Sequence, residues 1–355
     1  MIKTLYSFLP MKRIVFLFLT VFIAACTPKT FEKATRIPSK VDELSTKTEI
    51  EAYIRACDTN YKNYALKKLQ DFHRSHYNDS INGVLADRLQ IHTLFEKADF
   101  DNNGYTDLLA IGCNDFDLKQ NHKSCNFFPI VVMNFGANST KIIPIKLDHI
   151  TAFVPFVHYE DNQPFLMVFQ KKYDYFKKKY SQRKFQLTYL YDDFIEYNRH
   201  PTSKRITQIQ IMSLGCFGDC PMYKLDLCRT GVSTFNAYLH NTSDAATSEP
   251  ILMEGVYTTT LTSHTFNEIE KLINYCAVTH LKNFYSVDYT CAATAYLKVT
   301  YSDGEVKKIV DYGRFGTYSL KTLYSQLEAL RFNQKWKKVK GEANLDLADD
   351  RSYQD

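Results

Sequence analysis

The chain has 355 residues, with 44 basic and 39 acidic side chains and a formal net charge of +5. A balance so near neutral excludes the dense basic surface that nucleic-acid binding requires. The length suffices for two ordinary domains, and 25 Tyr with 25 Phe point to strand-rich cores.

Lys3, Lys12 and Arg13 precede an uncharged apolar run, Ile14 to Ala25, and Cys26 follows at once. As a helix that run is about 18 Å long, short of the roughly 30 Å hydrocarbon core. A cationic head, a short apolar centre and small residues at its end mark a cleaved signal peptide over residues 1–25. Ile23-Ala24-Ala25-Cys26 resembles the lipobox of bacterial lipoproteins, with Ile where Leu is usual. The resemblance implies that Cys26 is acylated and becomes the new N-terminus, giving a membrane-anchored chain rather than a membrane-spanning one. Thr27 stands where the inner-membrane retention signal has Asp, and no acidic cluster follows. By the same resemblance, this implies an outer-membrane anchor facing the periplasm. Loss of the leader removes its three basic residues, and the net charge falls from +5 to +2.

Residues 26–44 are polar, with Pro28 and Pro38, and read as a lipidated tether. Over 46–76, Ile50, Tyr53, Ile54 and Cys57, then Tyr64, Leu66, Leu69 and Phe72, predict two helices. From about residue 90 the runs LLAIG, FFPIVVMNF, KIIPIKL, TAFVPFV, PFLMVFQ and FQLTYLY predict a β-meander, completing a first domain over 45–200. His200-Pro201-Thr202-Ser203 is the expected break. A second domain over 201–340 reads as four strands, a helix near Thr265, a hairpin turning at Ser302-Asp303-Gly304, and a last helix carrying Leu320, Leu323, Leu327 and Leu330. The fold class expected is α+β, with a mostly antiparallel second sheet. The acidic tail, 341–355, is expected to be disordered.

Within the first domain, Asp99, Asp101, Asn103 and Asp107 place oxygens at positions 1, 3, 5 and 9 of a tight turn. Gly104 sits at position 6, and Tyr105 at position 7 would offer its carbonyl. Calcium needs at least six such oxygens at about 2.3–2.6 Å. Ala110 replaces the EF-hand Glu, and a strand follows in place of a helix. The run therefore resembles the short calcium loops of FG-GAP and VCBS-type repeats, which implies a structural calcium. The plainer alternative is an Asx-rich turn held by its own hydrogen bonds.

Without Cys26, eight cysteines remain, an even count that permits a disulfide framework in an oxidising compartment. Cys113 and Cys125 flank a polar loop and form one candidate pair, the alternative being two buried thiols. Cys216 and Cys220 form another, within Gly215-Cys216-Phe217-Gly218-Asp219-Cys220-Pro221-Met222-Tyr223. That C-x-G-x-C-P-x-Y run, with the strands after it, resembles an uncharacterised domain family common in lipoproteins of Bacteroidetes-type bacteria. The resemblance brings no activity. Physically, Cys216 and Cys220 suit a structural disulfide. A redox pair is the second reading, opposed by the anionic Asp219. A metal site that adds Cys228 and His240 is the third.

Lys171 to Tyr180, with Arg183 and Lys184, is the strongest basic patch. It would suit lipid phosphates or an anionic glycan, or be only a solvated hairpin tip. No G-x-S-x-G, H-E-x-x-H or G-x-x-x-x-G-K-[ST] run occurs, so no catalytic residue is assigned. The reading expected is a non-enzymatic binding or structural lipoprotein that meets an envelope protein or glycan. Its rivals are a thiol–disulfide protein using Cys216 and Cys220, and a calcium-dependent ligand binder.

Overall fold

A computed structural model describes residues 33–72, 77–114, 126–145, 152–174, 178–243, 252–339 and 341, with 77–80 and 172–174 described by their backbone. Cys26, Cys125 and the acidic tail from 342 lie outside the described residues. The expected tether is built into the fold at its far end. Helix α1 (Lys40–Glu43) buries Val41, and Leu44 is buried beside it. Helix α2 (Lys47–Cys57) buries Ile50 and Ile54 and begins in a capping box of Thr46 with Glu49.

The second helix expected before residue 76 is not formed. Tyr64 and Leu66 alternate inward on strand β1 (Tyr64–Leu66), and a single 3₁₀ turn, Leu69–Asp71, follows. Helix α3 (Tyr77–Arg88) lies beyond, and its Asn82 side chain accepts the Phe153 amide at 2.7 Å.

The meander then forms as two sheets. Strands β2 (Phe95–Ala98), β3 (Asp107–Ala110), β5 (Ile130–Asn134) and β6 (Thr140–Pro144) make one sheet, in the order β2-β3-β5-β6. Strand β4 (Gly112–Asn114) instead pairs with β1. That pairing needs Gly112, because a Cβ there would sit 2.3 Å from the Ala65 carbonyl. Strands β3 and β5 are buried on both faces. Leu108, Ala110, Ile130 and Val132 pack with α2, whereas Leu109, Val131 and Met133 pack toward the next sheet. Double burial explains why both read as unbroken apolar runs.

The next sheet has the order β10-β9-β8-β7, built from β7 (Ala152–Glu160), β8 (Gln163–Asp174), β9 (Lys179–Leu190) and β10 (Asp193–Glu196).

Residues after 201 follow the predicted order with two additions at the edges. The strands are β11 (Ile206–Leu214), β12 (Met222–Cys228), β13 (Ser233–Leu239), β14 (Gly255–Thr259), β15 (Phe284–Ser286), β16 (Thr294–Tyr301), β17 (Val306–Tyr312) and β18 (Lys337–Lys338). They form one eight-stranded sheet, β15-β17-β16-β11-β12-β13-β14-β18, antiparallel except where β15 runs parallel to β17. Helices α4 (Ser263–Tyr275) and α5 (Tyr318–Asn333) supply Phe266, Ile269, Leu272, Leu320, Leu323 and Leu327 to its buried face. Thr262 caps α4, its side chain accepting the Thr265 amide.

The chain is thus mixed and sheet-rich, with several sheets and few helices. From Lys33 onward it clusters as one compact unit, and α5 contributes to two of its cores, with Tyr318 in one and Leu320, Leu323 and Leu327 in the other. Glu196, at the end of β10, accepts the Tyr318 and Ser319 amides at 2.8 and 2.7 Å. A carboxylate there satisfies two donors at the helix start and meets the positive end of its dipole.

Candidate functional site

The Asp99–Asp107 turn is assembled by its own side chains. Asp99 accepts the amides of Asn103 at 3.0 Å and Gly104 at 2.9 Å, and Asn103 Oδ1 accepts that of Tyr105 at 2.7 Å. Asn102 and Gly104 take positive φ, which closes the bend. Asp107 is fully buried, and its two oxygens accept the Asn134 amide at 2.7 Å and the Phe100 amide at 2.8 Å. The hydrogen-bonded turn is therefore fully built.

Of the five residues expected to hold a cation, three bring carboxylates together in the same turn. Asp99, Asp101 and Asp107 each direct a carboxylate oxygen to within 4.8 Å of the others. Asn103 stays beside them, its amide donating to Asp101 at 2.9 Å and to the Asn134 carbonyl at 2.9 Å. Crowding three carboxylates away from water is costly in the ionised state. Burial pushes Asp107 up to about 8, with Asp101 and Asp99 adding repulsion. Burial also pushes Asp101 up to about 6, and Asp99 again adds.

The N-terminal strap crosses this loop. The Ala34 amide donates to Asn102 at 2.8 Å, the Ile37 amide to the Gly104 carbonyl at 2.8 Å, and the Thr106 hydroxyl to Asp42 at 2.7 Å. Burial would raise Asp42, but bonds from Arg36, Thr106 and Ser39 hold it at about 2. Tyr105 packs its ring against Gly136, where a Cβ would lie 2.4 Å away.

Cys216 and Cys220 are joined in a disulfide with their Cα atoms 5.5 Å apart. The bond closes a five-residue loop in which Gly218 has φ of +145° and Phe217 is 91 % exposed. Cys113 is disulfide-bonded, and the expected partner Cys125 lies outside the described residues. Full pairing of the eight cysteines does not occur, since Cys57, Cys228, Cys276 and Cys291 are free thiols. Cys276 is buried, and burial pushes its thiol well up.

The metal site considered around Cys228 and His240 is not assembled among the described residues. Its two other sulfurs are spent in the disulfide, Cys228 Sγ lies 4.0 Å from Asp226, and His240 Nε2 lies 4.0 Å from Asp219. A thiol titration checks this layout. In native protein, maleimide is expected to label Cys291 fast and Cys276 only on unfolding. Cys216 and Cys220 should react only after a reductant; rapid labelling of either without one would contradict the disulfide.

Residues 207–331 match the model of a family described as a domain of unknown function, DUF6438. The match falls within the region that the C-x-G-x-C-P-x-Y run marked as an uncharacterised domain, and it begins inside β11. No curated protein and no solved structure matches the chain.

In the DUF6438 region the last residue of that run, Tyr223, is fully buried. Its hydroxyl donates to Glu328 at 3.0 Å, and Arg314 reaches the same oxygen at 2.8 Å. Arg331 stacks 4.5 Å from the Tyr223 ring centre and donates to the buried Asn241 at 3.0 Å. Burial pushes Glu328 up, but Arg314, Arg331 and the Tyr223 hydroxyl outweigh it and hold the carboxyl below its ordinary value. None of Arg314, Glu328, Arg331 and Asn241 was expected from the sequence. The available signal was Tyr324, Glu328 and Arg331, which stand four and three residues apart beside the leucine stripe of α5.

Proposed function

We infer that this chain is an exported lipoprotein, anchored by acylated Cys26 and facing the periplasm from the outer membrane. It acts there as a non-enzymatic binding or structural module in two parts. The match that begins at residue 207 supports a module boundary near 201. A structural calcium held by Asp99, Asp101, Asn103, Asp107 and the Tyr105 carbonyl would neutralise the converging carboxylates. Disulfides brace both parts.

One observation carries this reading: the strap at 34–42, which follows the lipid-bearing residue, is bonded to the acidic loop through Asn102, Gly104 and Thr106. A cation in that loop would lock the fold where the membrane tether enters it. Among the described residues no helix is long and apolar enough to cross a membrane.

The test is metabolic labelling with a palmitate analogue, followed by membrane fractionation. Label in the outer membrane, lost together with membrane attachment in Cys26→Ala, is the expected result. An unlabelled, fully soluble chain would reject the anchor. Thiol–disulfide exchange at Cys216 and Cys220 is the rival reading, favoured by the solvent-facing loop that carries them; repeating the maleimide titration at graded reductant decides it, because a pair reduced under mild conditions supports exchange and one that resists them rejects it.

A further inference from the structure

A cavity of about 380 Å³ opens between the β8–β9 hairpin on one side and β15, the end of β17 and the start of α5 on the other. Its size is within the range of small-molecule sites, at roughly 300–1,000 Å³. One wall belongs to the DUF6438 region and the other to the meander, so the cavity is a composite of both halves.

Its charge is set by Arg183 of the hairpin and by Lys282, just before β15. Strand alternation places Lys179, Ser181, Arg183 and Phe185 on one face of β9. That face meets α5, since the Phe185 ring lies 5.4 Å from the Tyr318 ring and Gln170, paired with Arg183, donates to the Tyr318 hydroxyl at 3.4 Å. Arg183 and Lys282 are exposed and line the cavity. Asp311 is the single acid among the described lining residues. It is 1 % exposed and accepts the Gly316 amide at 2.9 Å. Gly316 is required there, because a Cβ would sit 2.7 Å from the Tyr285 ring and 2.8 Å from that carboxylate. The charge a ligand meets is therefore positive.

The rest of the wall alternates rings with hydroxyls. Phe284, at 62 % exposure, stands beside Ser286, and Phe315 is close to Thr317. A purely apolar acyl chain would bury those hydroxyls against hydrocarbon without a partner. A bare inorganic anion would leave the rings unused.

We propose that this cavity binds an acidic saccharide unit, the charged group pairing with Arg183 and Lys282 and the sugar ring lying against Phe284 and Phe315. A sugar ring has a flat C–H face and a rim of hydroxyls, which matches the alternating wall. An Arg guanidinium supplies paired donors to a carboxylate or sulfate. Lys179 shares its face of β9 with Arg183 and would help draw in such an anion, more strongly at low salt. This names the ligand of the binding role proposed above and rests on that reading.

The test is calorimetric titration of the full chain in detergent with three disaccharides, one carrying a uronate, one a sulfate ester and one neutral, and with inorganic sulfate. Binding of either acidic sugar and not of the neutral one is expected, and the two acidic probes tell the sources apart. Arg183→Ala and Lys282→Ala should each weaken it about tenfold or more. Ser286→Trp, which fills the cavity from an exposed strand position, should abolish it with the melting temperature unchanged. Equal binding of the neutral sugar, binding of sulfate alone, or affinity indifferent to all three substitutions overturns the proposal. A lipid-anchored chain that binds none of the probes rejects this inference and leaves the anchor standing.

Discussion

Chelation is expected to lower the melting temperature by roughly 4 °C near pH 8 and by much less near pH 5. In the absence of a cation, burial holds Asp107 up to about 8 and Asp101 up to about 6. In the unfolded chain both return to the ordinary carboxylate range near 4. Between those values the folded chain binds more protons than the unfolded one. Stability from these groups is therefore greatest at the acid end and is lost as pH rises through that window.

Calcium requires the ionised carboxylates, so protons compete with it. At a hundred times its dissociation constant it contributes about 2.7 kcal/mol. Scanning calorimetry with calcium and with chelator at both pH values measures this. Asp101→Asn should remove the calcium response while retaining an oxygen for the Asn103 amide. Asp107→Asn should remove it as well and cost about 1–3 kcal/mol, because one buried amide donor then faces an NH₂ group. A melting temperature indifferent to calcium and chelator near pH 8 would leave the loop as a hydrogen-bonded turn alone.

The parts of this fold that were legible in the sequence are those where one local rule acts without competition. LLAIG and PIVVMN read as buried strands because β3 and β5 have apolar neighbours on both faces. The hairpin at Ser302-Asp303-Gly304 was readable because Gly304 alone there needs positive φ, and it takes +86°. The acidic loop was readable because its ligand spacing lies within nine consecutive residues.

Tertiary partners decided the rest. Tyr64 and Leu66 fit a helical count only if their two-residue spacing is overlooked, and β4 supplies the strand partner that fixes them as extended. Helix α3 has a weak apolar stripe interrupted by Asn82 and Gly83, and the Asn82 bond to β7 explains the interruption. The cavity draws its walls from residues about a hundred positions apart, Arg183 and Tyr285 among them, so no local pattern announces it.

The buried ionic cluster of the DUF6438 region yields the other large effect. Glu328→Ala is expected to destabilise the fold by about 3 kcal/mol, because Arg314 and the Tyr223 hydroxyl both lose their acceptor while remaining half-buried or buried. Tyr223→Phe, which removes one hydroxyl and retains the packed ring, should cost about 1 kcal/mol. Replacing both ions, Arg314→Met with Glu328→Leu, should recover much of the loss, since a desolvated ion pair roughly breaks even against apolar groups of similar volume. Urea unfolding of Arg314→Met, Glu328→Leu and the double measures the coupling, and costs that simply add would show the pair to be independent. The cycle also separates two roles for the C-x-G-x-C-P-x-Y run. If Tyr223 serves the cluster, Tyr223→Phe should have no further effect once Glu328 is Leu. If its hydroxyl matters apart from the cluster, its cost should persist.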